Sequence, residues 1–275
     1  MRLGGPIFEP YTDPESWVFA LKQLGYRAAY CPDITAVYTP KDFALTAQAA
    51  DIVIAEVGVW NNPISRDEAV RREAIATCQA RLALADEIGA VCCVNIAGSR
   101  GSKWDGPHPD DLTPDTFALI VETVRTIIDA VKPTQTFYTL ETMPWMYPDS
   151  AESYLRLIAA INRPAFAVHF DPVNLICSPQ RYFANTALIN EFITALGPRI
   201  KSVHAKDILL QDHLTTHLDE VCPGLGALNY YNLLRKLRRL GPNLPLMVEH
   251  LPGSEEYKQA VAYIRNVAAA IKIRL

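Results

Sequence analysis

Four side chains that can bind a hard metal ion stand at the ends of four successive short apolar runs. They are Glu141, Asp171, His204 and Glu249, and the intervals between them are 30, 33 and 45 residues, close to the length of one strand and one helix. Three carboxylates and one imidazole suit Mn²⁺, Mg²⁺ or Co²⁺ better than a structural zinc site, for which thiolates are typical. The pattern predicts one divalent metal ion, with Mn²⁺ preferred and Mg²⁺, Co²⁺ or Zn²⁺ as alternatives.

A structural role would explain each of these residues if it stood alone. An Asp or Glu at a strand end often caps a helix, and a His in an apolar run is often a hydrogen-bonded core residue. Four such residues at successive strand ends favour the metal site instead. Because side chains alternate along a strand, Lys206 should share the face of His204. By the same alternation, His169 should point inward below the metal and His250 should point away from it.

The four runs belong to an alternation of strands and helices along the whole chain. The predicted strands are 3–8, 28–32, 52–60 and 91–98, a fifth ending at Glu141, a sixth after Pro164, a seventh after Pro198 and an eighth beginning at Pro245. Uniformly apolar strands separated by helices predict a parallel sheet that is covered on both faces. Eight such units without a GxGxxG turn favour a single-domain (β/α)₈ TIM barrel over 1–275, rather than an open doubly wound sheet.

Local signals place several boundaries between these elements. Ser65 is predicted to cap a long helix that ends before Gly89. Two long polar segments, 99–114 and 208–230, are predicted to be loops. The PGLG sequence at 223–226 indicates a backbone turn rather than a phosphate-binding loop, because an isolated pair of glycines is weak evidence for the latter.

Composition and charge exclude several classes of partner. The net charge is −4, and the basic group at 235–239 is expected to be a solvated helix face rather than a nucleic-acid site. The N-terminus has no apolar signal region, and no segment is long and apolar enough to cross a membrane. The six cysteines form no CxxC pair, which favours buried thiols. We therefore expect a cytoplasmic protein that binds neither nucleic acid nor membrane.

Five motifs resemble one known family. TLET, HFDPVNL, VHAKD, PGLGALNY and LMVEHL, in this order and spacing, resemble the xylose-isomerase-like barrel superfamily of sugar and sugar phosphate isomerases and epimerases, from about residue 50 to the end of the chain. The resemblance implies that Glu141, Asp171, His204 and Glu249 hold the metal. In the ketose 3-epimerase branch the two glutamates are also the acid and the base on opposite faces of the substrate, which implies the same catalytic roles here.

Proton removal next to a carbonyl explains why such a pair is needed. A metal bridging the carbonyl and the adjacent hydroxyl oxygen stabilises the developing enediolate as a Lewis acid. One carboxylate removes the proton, and the other returns a proton to the opposite face in an epimerisation or to the neighbouring carbon in an isomerisation. The resemblance therefore implies a metal-dependent isomerase or epimerase of a sugar or keto-sugar.

Two positions depart from the epimerase branch. Asn174 stands where that branch usually has a histidine, three residues after the metal-binding Asp, and Leu210 stands where it has an arginine. Lys206 could take a polarising catalytic role, as its HAKD motif suggests by similarity to inosose dehydratase-like proteins, or it could only form an ion pair. Since an amine there could protonate a leaving hydroxyl, a metal-dependent lyase or dehydratase is the alternative function, acting on an inosose or a 3-keto-glycoside.

Substrate contacts are predicted at the rim of the barrel. Aromatic faces stack on the C–H faces of sugars, although core and interface roles are equally common for Trp. The predicted substrate-binding residues are Trp60, Asn95, Trp104, Trp145, Asn174 and Lys206. The expected partner is a small sugar or polyol, and the relatives suggest a homodimer or homotetramer. A DNA-repair endonuclease is disfavoured, because its multi-zinc site needs more histidines and its function needs a basic surface. A binding protein without catalytic turnover is a further alternative.

Overall fold

The computed structural model describes residues 1–34 and 37–275, and within them eight parallel strands close into a barrel. Together with two strands outside the barrel, β8 and β9, the strands are β1 (Arg2–Gly4), β2 (Ala28–Tyr30), β3 (Val53–Gly58), β4 (Cys92–Asn95), β5 (Phe137–Glu141), β6 (Phe166–Phe170), β7 (Ile200–Ala205), β8 (Asp207–Leu210), β9 (Leu218–Val221) and β10 (Pro245–Val248). In the barrel, β1 to β7 follow one another, and β10 pairs with both β7 and β1. The predicted TIM barrel is confirmed.

Helices cover the outside of the barrel. They are α1 (Pro14–Gln23), α2 (Pro40–Ala49), α3 (Glu68–Ile88), α4 (Pro114–Val131), α5 (Ala151–Ile161), α6 (Pro179–Phe183), α7 (Asn185–Leu196), α8 (Tyr230–Leu237) and α9 (Ser254–Ala270). Proline begins α1, α2, α4 and α6, where its missing N–H leaves no hydrogen bond unmade. Within the described residues, no helix is both long enough and apolar enough to cross a lipid bilayer.

The start of α3 differs from the prediction, whereas its end agrees. The carboxylate of Asp67 accepts hydrogen bonds from the backbone N–H of Ala69 at 2.8 Å and of Val70 at 3.2 Å. Ser65 lies outside the helix and accepts from the N–H of Asp67. Asp67 is therefore the cap, and a carboxylate there also interacts favourably with the helix dipole. The helix ends as predicted at Gly89, whose φ of 69° suits a residue without a side chain.

The first four barrel strands are shorter than predicted, and β3 shows why. The strand ends at Gly58, and the chain then folds back because Trp60 has a left-handed φ of 50°. The indole of Trp60 packs against the backbone of Gly58, where any Cβ atom would collide with its Nε1. Apolar residues that continue a strand in the sequence are thus turned into the rim of the barrel.

The second predicted loop contains a hairpin, so that part of the prediction is wrong. Strands β8 and β9 pair antiparallel, outside the barrel. The buried carboxylate of Asp207 accepts from the backbone N–H of Gly224 at 2.9 Å, Gly226 at 3.2 Å and Leu228 at 2.9 Å. These bonds fold the PGLG segment against the start of the hairpin. The amides of this backbone turn are therefore directed at a carboxylate of the chain itself.

The main hydrophobic core lies between the barrel strands and the helices. It includes Trp17 of α1, Phe43 of α2, Tyr154 of α5 and Phe192 of α7, each at most 2% exposed. The barrel interior holds a second, polar set of buried side chains, which are Glu56, His169, Ser202 and His204. Burial of so many polar groups requires that they satisfy one another. His204 also belongs to the site described next, and it is linked to the other three through Glu56.

Candidate metal centre

Four barrel strands bring the predicted metal ligands together at the carboxyl end of the barrel. Glu141 is the last residue of β5, Asp171 follows β6, His204 lies on β7 and Glu249 follows β10. All four are buried, and one ligand atom from each lies within 4.8 Å of the others. They converge because parallel strands of a barrel all end at one rim.

His204 and Lys206 lie among the three carboxylates. His204 Nδ1 is 2.8 Å from Glu249 Oε1, 3.1 Å from Glu141 Oε1 and 3.9 Å from Asp171 Oδ2. Lys206 Nζ is 2.7 Å from Glu249 Oε1 and 2.8 Å from Asp171 Oδ2. The alternation along β7 thus places Lys206 on the face of His204, as predicted. Its ammonium forms ion pairs with the carboxylates of the centre.

The FDPVN segment fixes the orientation of Asp171. Its Oδ1 accepts from the backbone N–H of Val173 at 2.8 Å and of Asn174 at 3.1 Å. The Thr142 hydroxyl accepts from the Asp171 N–H and donates to its carbonyl oxygen. With Oδ1 engaged by the turn, Oδ2 faces the centre. The Asn174 amide also donates to Glu141 Oε1 at 3.0 Å, so one turn orients two of the carboxylates.

Burial and mutual charge shift the ionisation of every group in the centre. Burial raises the pKa of Asp171 to about 6, and the neighbouring carboxylates add to this rise against the effect of Lys206. Burial would also raise the pKa of Glu141 and Glu249, but His204 and Lys206 outweigh it and lower both values. The carboxylates in turn raise the pKa of His204 and Lys206 despite burial. The centre therefore places three carboxylates next to His204 and Lys206, and each set of groups favours the charged form of the other.

The donor set fits a divalent metal ion. Asp171 Oδ2 and Glu249 Oε1 are buried and face the inside of the centre. Their close partners are the Lys206 ammonium, at 2.8 and 2.7 Å, and His204 Nδ1, at 3.9 and 2.8 Å. Buried carboxylate oxygens require positive charge beside them, and a metal ion between them would add to the charge of Lys206. Three oxygens and one imidazole nitrogen match the preferences of hard and borderline divalent ions.

A cavity of about 570 Å³ opens above this centre. Its aromatic wall consists of Tyr30, Trp60, Trp104, Trp145 and Tyr257, and its polar groups are Lys103, Asp105, Glu141, Asn174, Lys206, Glu220, Glu249 and His250. A volume of this size suits a small molecule. The aromatic faces and the polar groups together suit an amphiphilic ligand such as a sugar.

The loop after β4 forms one side of the cavity and is well anchored. Asp111 is fully buried and accepts from the Ser99 hydroxyl at 2.9 Å and the Arg100 N–H at 2.6 Å. Trp145 Nε1 donates to the carbonyl of Asp105 at 2.9 Å. These bonds fix the loop that carries Trp104 beside the carboxylates.

Five of the predicted substrate-binding residues line the cavity, and one does not. Those that line it are Trp60, Trp104, Trp145, Asn174 and Lys206. Asn95 is fully buried, and its amide bonds Asn61 Oδ1 at 2.9 Å and Cys78 Sγ at 3.5 Å. Cys78 belongs to α3, so the Asn95 side chain points from β4 towards the helices. The prediction that Asn95 contacts substrate is therefore wrong.

Three residues of the site were missed or misplaced. His250 was predicted to point away, but its left-handed φ of 57° turns it to the cavity, with Nδ1 3.3 Å from Glu220 Oε1. Glu220 comes from the hairpin within the segment 208–230, and its Oε2 is 3.5 Å from Lys206 Nζ. Glu56 had a signal in the sequence, because it is the one charged residue in the apolar run 52–60. His169 points inward as expected, with Nε2 3.0 Å from Glu56 Oε1.

Comparison with known proteins identifies the family. The profile of the xylose isomerase-like TIM barrel family matches residues 11–267, and the chain belongs to this family. Comparison with curated protein sequences finds no match.

Several solved structures share the fold. The probable 3-DHS dehydratase AsbF of Bacillus anthracis superimposes with a TM-score of 0.71 at 16% identity, over 97% of this chain and 98% of that one. The 3-keto-D-glucoside 4-epimerase YcjR of E. coli gives 0.68 at 13% identity, over 97% and 99%. A xylose isomerase-like barrel of Mycobacterium smegmatis in complex with magnesium gives 0.66 at 15% identity, over 94% and 89%. At these identities the likeness establishes the fold.

Proposed function

We propose that this chain is a divalent-metal-dependent isomerase or epimerase that acts on a sugar, a polyol or a keto-sugar derivative. The observation that carries the proposal is the pair Glu141 and Glu249, whose carboxylates line one cavity and share one centre. They come from strands that are not neighbours in the barrel, and therefore reach the cavity from different directions. Such a pair can remove a proton next to a carbonyl and return it elsewhere.

Glu141, Asp171, His204 and Glu249 would hold the metal ion, for which Mn²⁺ is our first choice and Mg²⁺, Co²⁺ or Zn²⁺ are alternatives. When bound, such an ion polarises a carbonyl and stabilises developing negative charge as a Lewis acid. The magnesium complex of the Mycobacterium smegmatis barrel supports a hard ion in this family.

The side chains around the carboxylates prepare them for proton transfer. The Asn174 amide holds Glu141 Oε1, which leaves Oε2 free to accept a proton from substrate. The Lys206 ammonium is a fixed positive charge beside both glutamates and would stabilise an oxyanion that develops on the substrate. Trp60 and Trp145 bound the cavity, where they would stack on the substrate and exclude water.

One observation favours a second function on the same site. Lys206 is 1% exposed and lies against Glu249 and Asp171, so its proton is available beside the proposed base. Once a glutamate has removed the proton next to the carbonyl, the C–O bond on the following carbon would break and a C=C bond would form. The lysine proton would go to the leaving oxygen, which releases water from an inosose or the aglycone alcohol from a 3-keto-glycoside. The enzyme would then be a lyase acting on an inosose or a 3-keto-glycoside.

Proton exchange in D₂O, followed by NMR, tests the proposal. The Mn²⁺-loaded chain is incubated with ketoses, inososes and 3-keto-glycosides. Deuterium next to a carbonyl, with the carbon skeleton and hydroxyl count retained, is the expected result. Loss of water or of an aglycone would assign the lyase function. A metal-loaded chain that exchanges no proton of any of these substrates would refute the proposal.

Variants of the two glutamates separate their roles. Glu141→Gln and Glu249→Gln should each lower the exchange rate about 10²–10⁴-fold, at metal concentrations that saturate each variant. If the two carboxylates serve opposite faces, each variant should retain exchange from one epimer of the substrate. Glu255→Gln is the control, since Glu255 is exposed and pairs with Lys258 on α9. A Glu249→Gln variant with full metal occupancy and full exchange would exclude Glu249 as acid or base.

A further inference from the structure

Beneath the metal centre, the carboxylate of Glu56 lies inside the barrel and is 1% exposed. Its Oε1 is 3.0 Å from His169 Nε2 and is also bonded by the Ser202 hydroxyl. Its Oε2 is 3.3 Å from His204 Nε2. These partners belong to β6 and β7, across the barrel from β3. Burying a charged carboxylate costs free energy unless such partners are present. A carboxylate retained at this position therefore indicates a specific role for Glu56.

The two nitrogens of His204 face different groups. Nδ1 faces the carboxylates of the centre, with Glu249 Oε1 at 2.8 Å and Glu141 Oε1 at 3.1 Å. Nε2 faces the opposite way, towards Glu56. To bind a metal, Nδ1 must present its lone pair, so the ring proton has to sit on Nε2. An acceptor at Nε2 selects that tautomer and fixes the plane of the ring.

We infer that Glu56 is the positioning residue of the metal site, which holds the His204 ring so that Nδ1 is directed at the ion. The inference rests on the proposed metal-dependent function. Glu56 touches neither the cavity nor the proposed substrate, and it acts through His204. His169 packs its ring against His204 at a centroid distance of 4.1 Å and occupies the other oxygen of Glu56. The carboxylate is thereby locked between two imidazoles.

Glu56→Gln is the informative variant because it keeps the size of the side chain and removes one acceptor. The single amide oxygen would be drawn to the side of His169 and Ser202, where two groups contact Oε1. The amide N–H₂ would then face His204 Nε2 and favour the tautomer with the proton on Nδ1. That proton competes directly with the metal. We expect the affinity for Mn²⁺ to fall about 10–100-fold, the range typical of such supporting carboxylates.

The experiment titrates Mn²⁺ alone into the full-length chain after removal of bound metal with a chelator. Free Mn²⁺ is measured by EPR, and the thermal unfolding of the metal-free form is recorded in parallel. Ser202→Ala is the matched control, because it removes one contact with Glu56 but leaves both histidine contacts, and it should bind Mn²⁺ like the wild type. Replacement of Mn²⁺ by Co²⁺ adds a second readout, since a rotated His204 should change the Co²⁺ absorption spectrum.

The expected result is one Mn²⁺ per wild-type chain, weaker binding by Glu56→Gln and a changed Co²⁺ spectrum for that variant alone. Equal Mn²⁺ affinity in wild type and Glu56→Gln would overturn the inference, even if the variant melts earlier, because a purely structural role predicts that outcome. Two Mn²⁺ ions per wild-type chain and one per variant would also overturn it, since Glu56 would then be a ligand. A wild-type chain that binds no Mn²⁺ would refute the proposed function as well. If Glu56→Gln binds Mn²⁺ more weakly but the wild-type chain exchanges no substrate proton in D₂O, only the proposed reaction is refuted.

Discussion

Tyr154→Phe should destabilise the barrel more than the loss of a single hydroxyl usually does. Tyr154 projects from α5 and is fully buried. Its hydroxyl lies between β5 and β6, where it is 2.6 Å from Leu140 O and 3.0 Å from Ala167 O and accepts from the N–H of Leu140 at 3.3 Å and of His169 at 3.2 Å. It thus adds to the ladder hydrogen bonds between two strands that carry candidate metal ligands.

The contacts of this hydroxyl set the magnitude of the effect. Phenylalanine keeps the packing of the ring against Phe166 and Phe192, so the change isolates the hydroxyl. The pairing of β5 with β6 remains, so the variant loses only the bonds of the hydroxyl itself, one donated and two accepted, at about 0.5–1.5 kcal/mol each. We expect a loss of about 3 kcal/mol in the free energy of unfolding. For a chain of this size that corresponds to a fall in Tm of roughly 6–12 °C.

Urea unfolding followed by circular dichroism, on chelator-treated protein, measures the change. Tyr138→Phe is the control, because Tyr138 is equally buried but its hydroxyl contacts side chains, Cys78 Sγ at 3.6 Å and Asn95, rather than the backbone of two strands. Hydrogen exchange should show faster exchange at the Leu140 and His169 amides in Tyr154→Phe. If both variants lose the same stability and these two amides keep their protection, the hydroxyl does not bridge the strands and the reasoning fails.

Two further changes test the periphery of the barrel. The guanidinium groups of Arg2 and Arg27 lower the pKa of Asp51 to about 2, so this carboxylate stabilises the fold above its unfolded pKa of about 3.9 and loses that effect as the pH falls towards 2. Asp51→Asn, which also tolerates the left-handed φ of 58°, should therefore lower Tm at pH 6, and the difference in Tm from the wild type should shrink below pH 4. A Tm difference that does not depend on pH would contradict the ion pairs. Asp207→Asn removes one of the oxygens that bind the turn amides, which should lower the free energy of unfolding by about 1–3 kcal/mol. Proteolysis of the hairpin that carries Glu220 should also become faster. An unchanged rate of cleavage would show that other contacts hold the hairpin.

The strand–helix alternation and the candidate metal ligands could be predicted from the sequence for the same reason. A strand buried on both faces must be apolar throughout, so a carboxylate or imidazole at its end stands out. Side-chain alternation then placed Lys206 beside His204. The helix ends were also readable where a local group decides them, as Gly89 does, and the error at Ser65 arose because two suitable caps lie two residues apart.

Contacts between distant segments account for what the sequence did not show. Asn95 follows the same apolar pattern as the metal ligands, but its side chain is on the outer face of β4, and no local feature distinguishes the two faces of a strand that is buried on both. His250 was placed by strand alternation, which fails once the backbone adopts a left-handed φ. The hairpin depends on the bonds from Asp207 to amides 17 to 21 residues away.

The sequence alone determined the barrel and the convergence of the four candidate metal ligands, because these follow from apolar periodicity and from parallel strands that end at one rim. Only the tertiary structure decided which polar side chains meet inside the barrel and above it. Glu56 is 148 residues from His204 in the chain, and Glu220 reaches the cavity on a hairpin outside the barrel. Contacts of this kind are set by closure of the sheet and by backbone turns, neither of which leaves a local pattern of residue types.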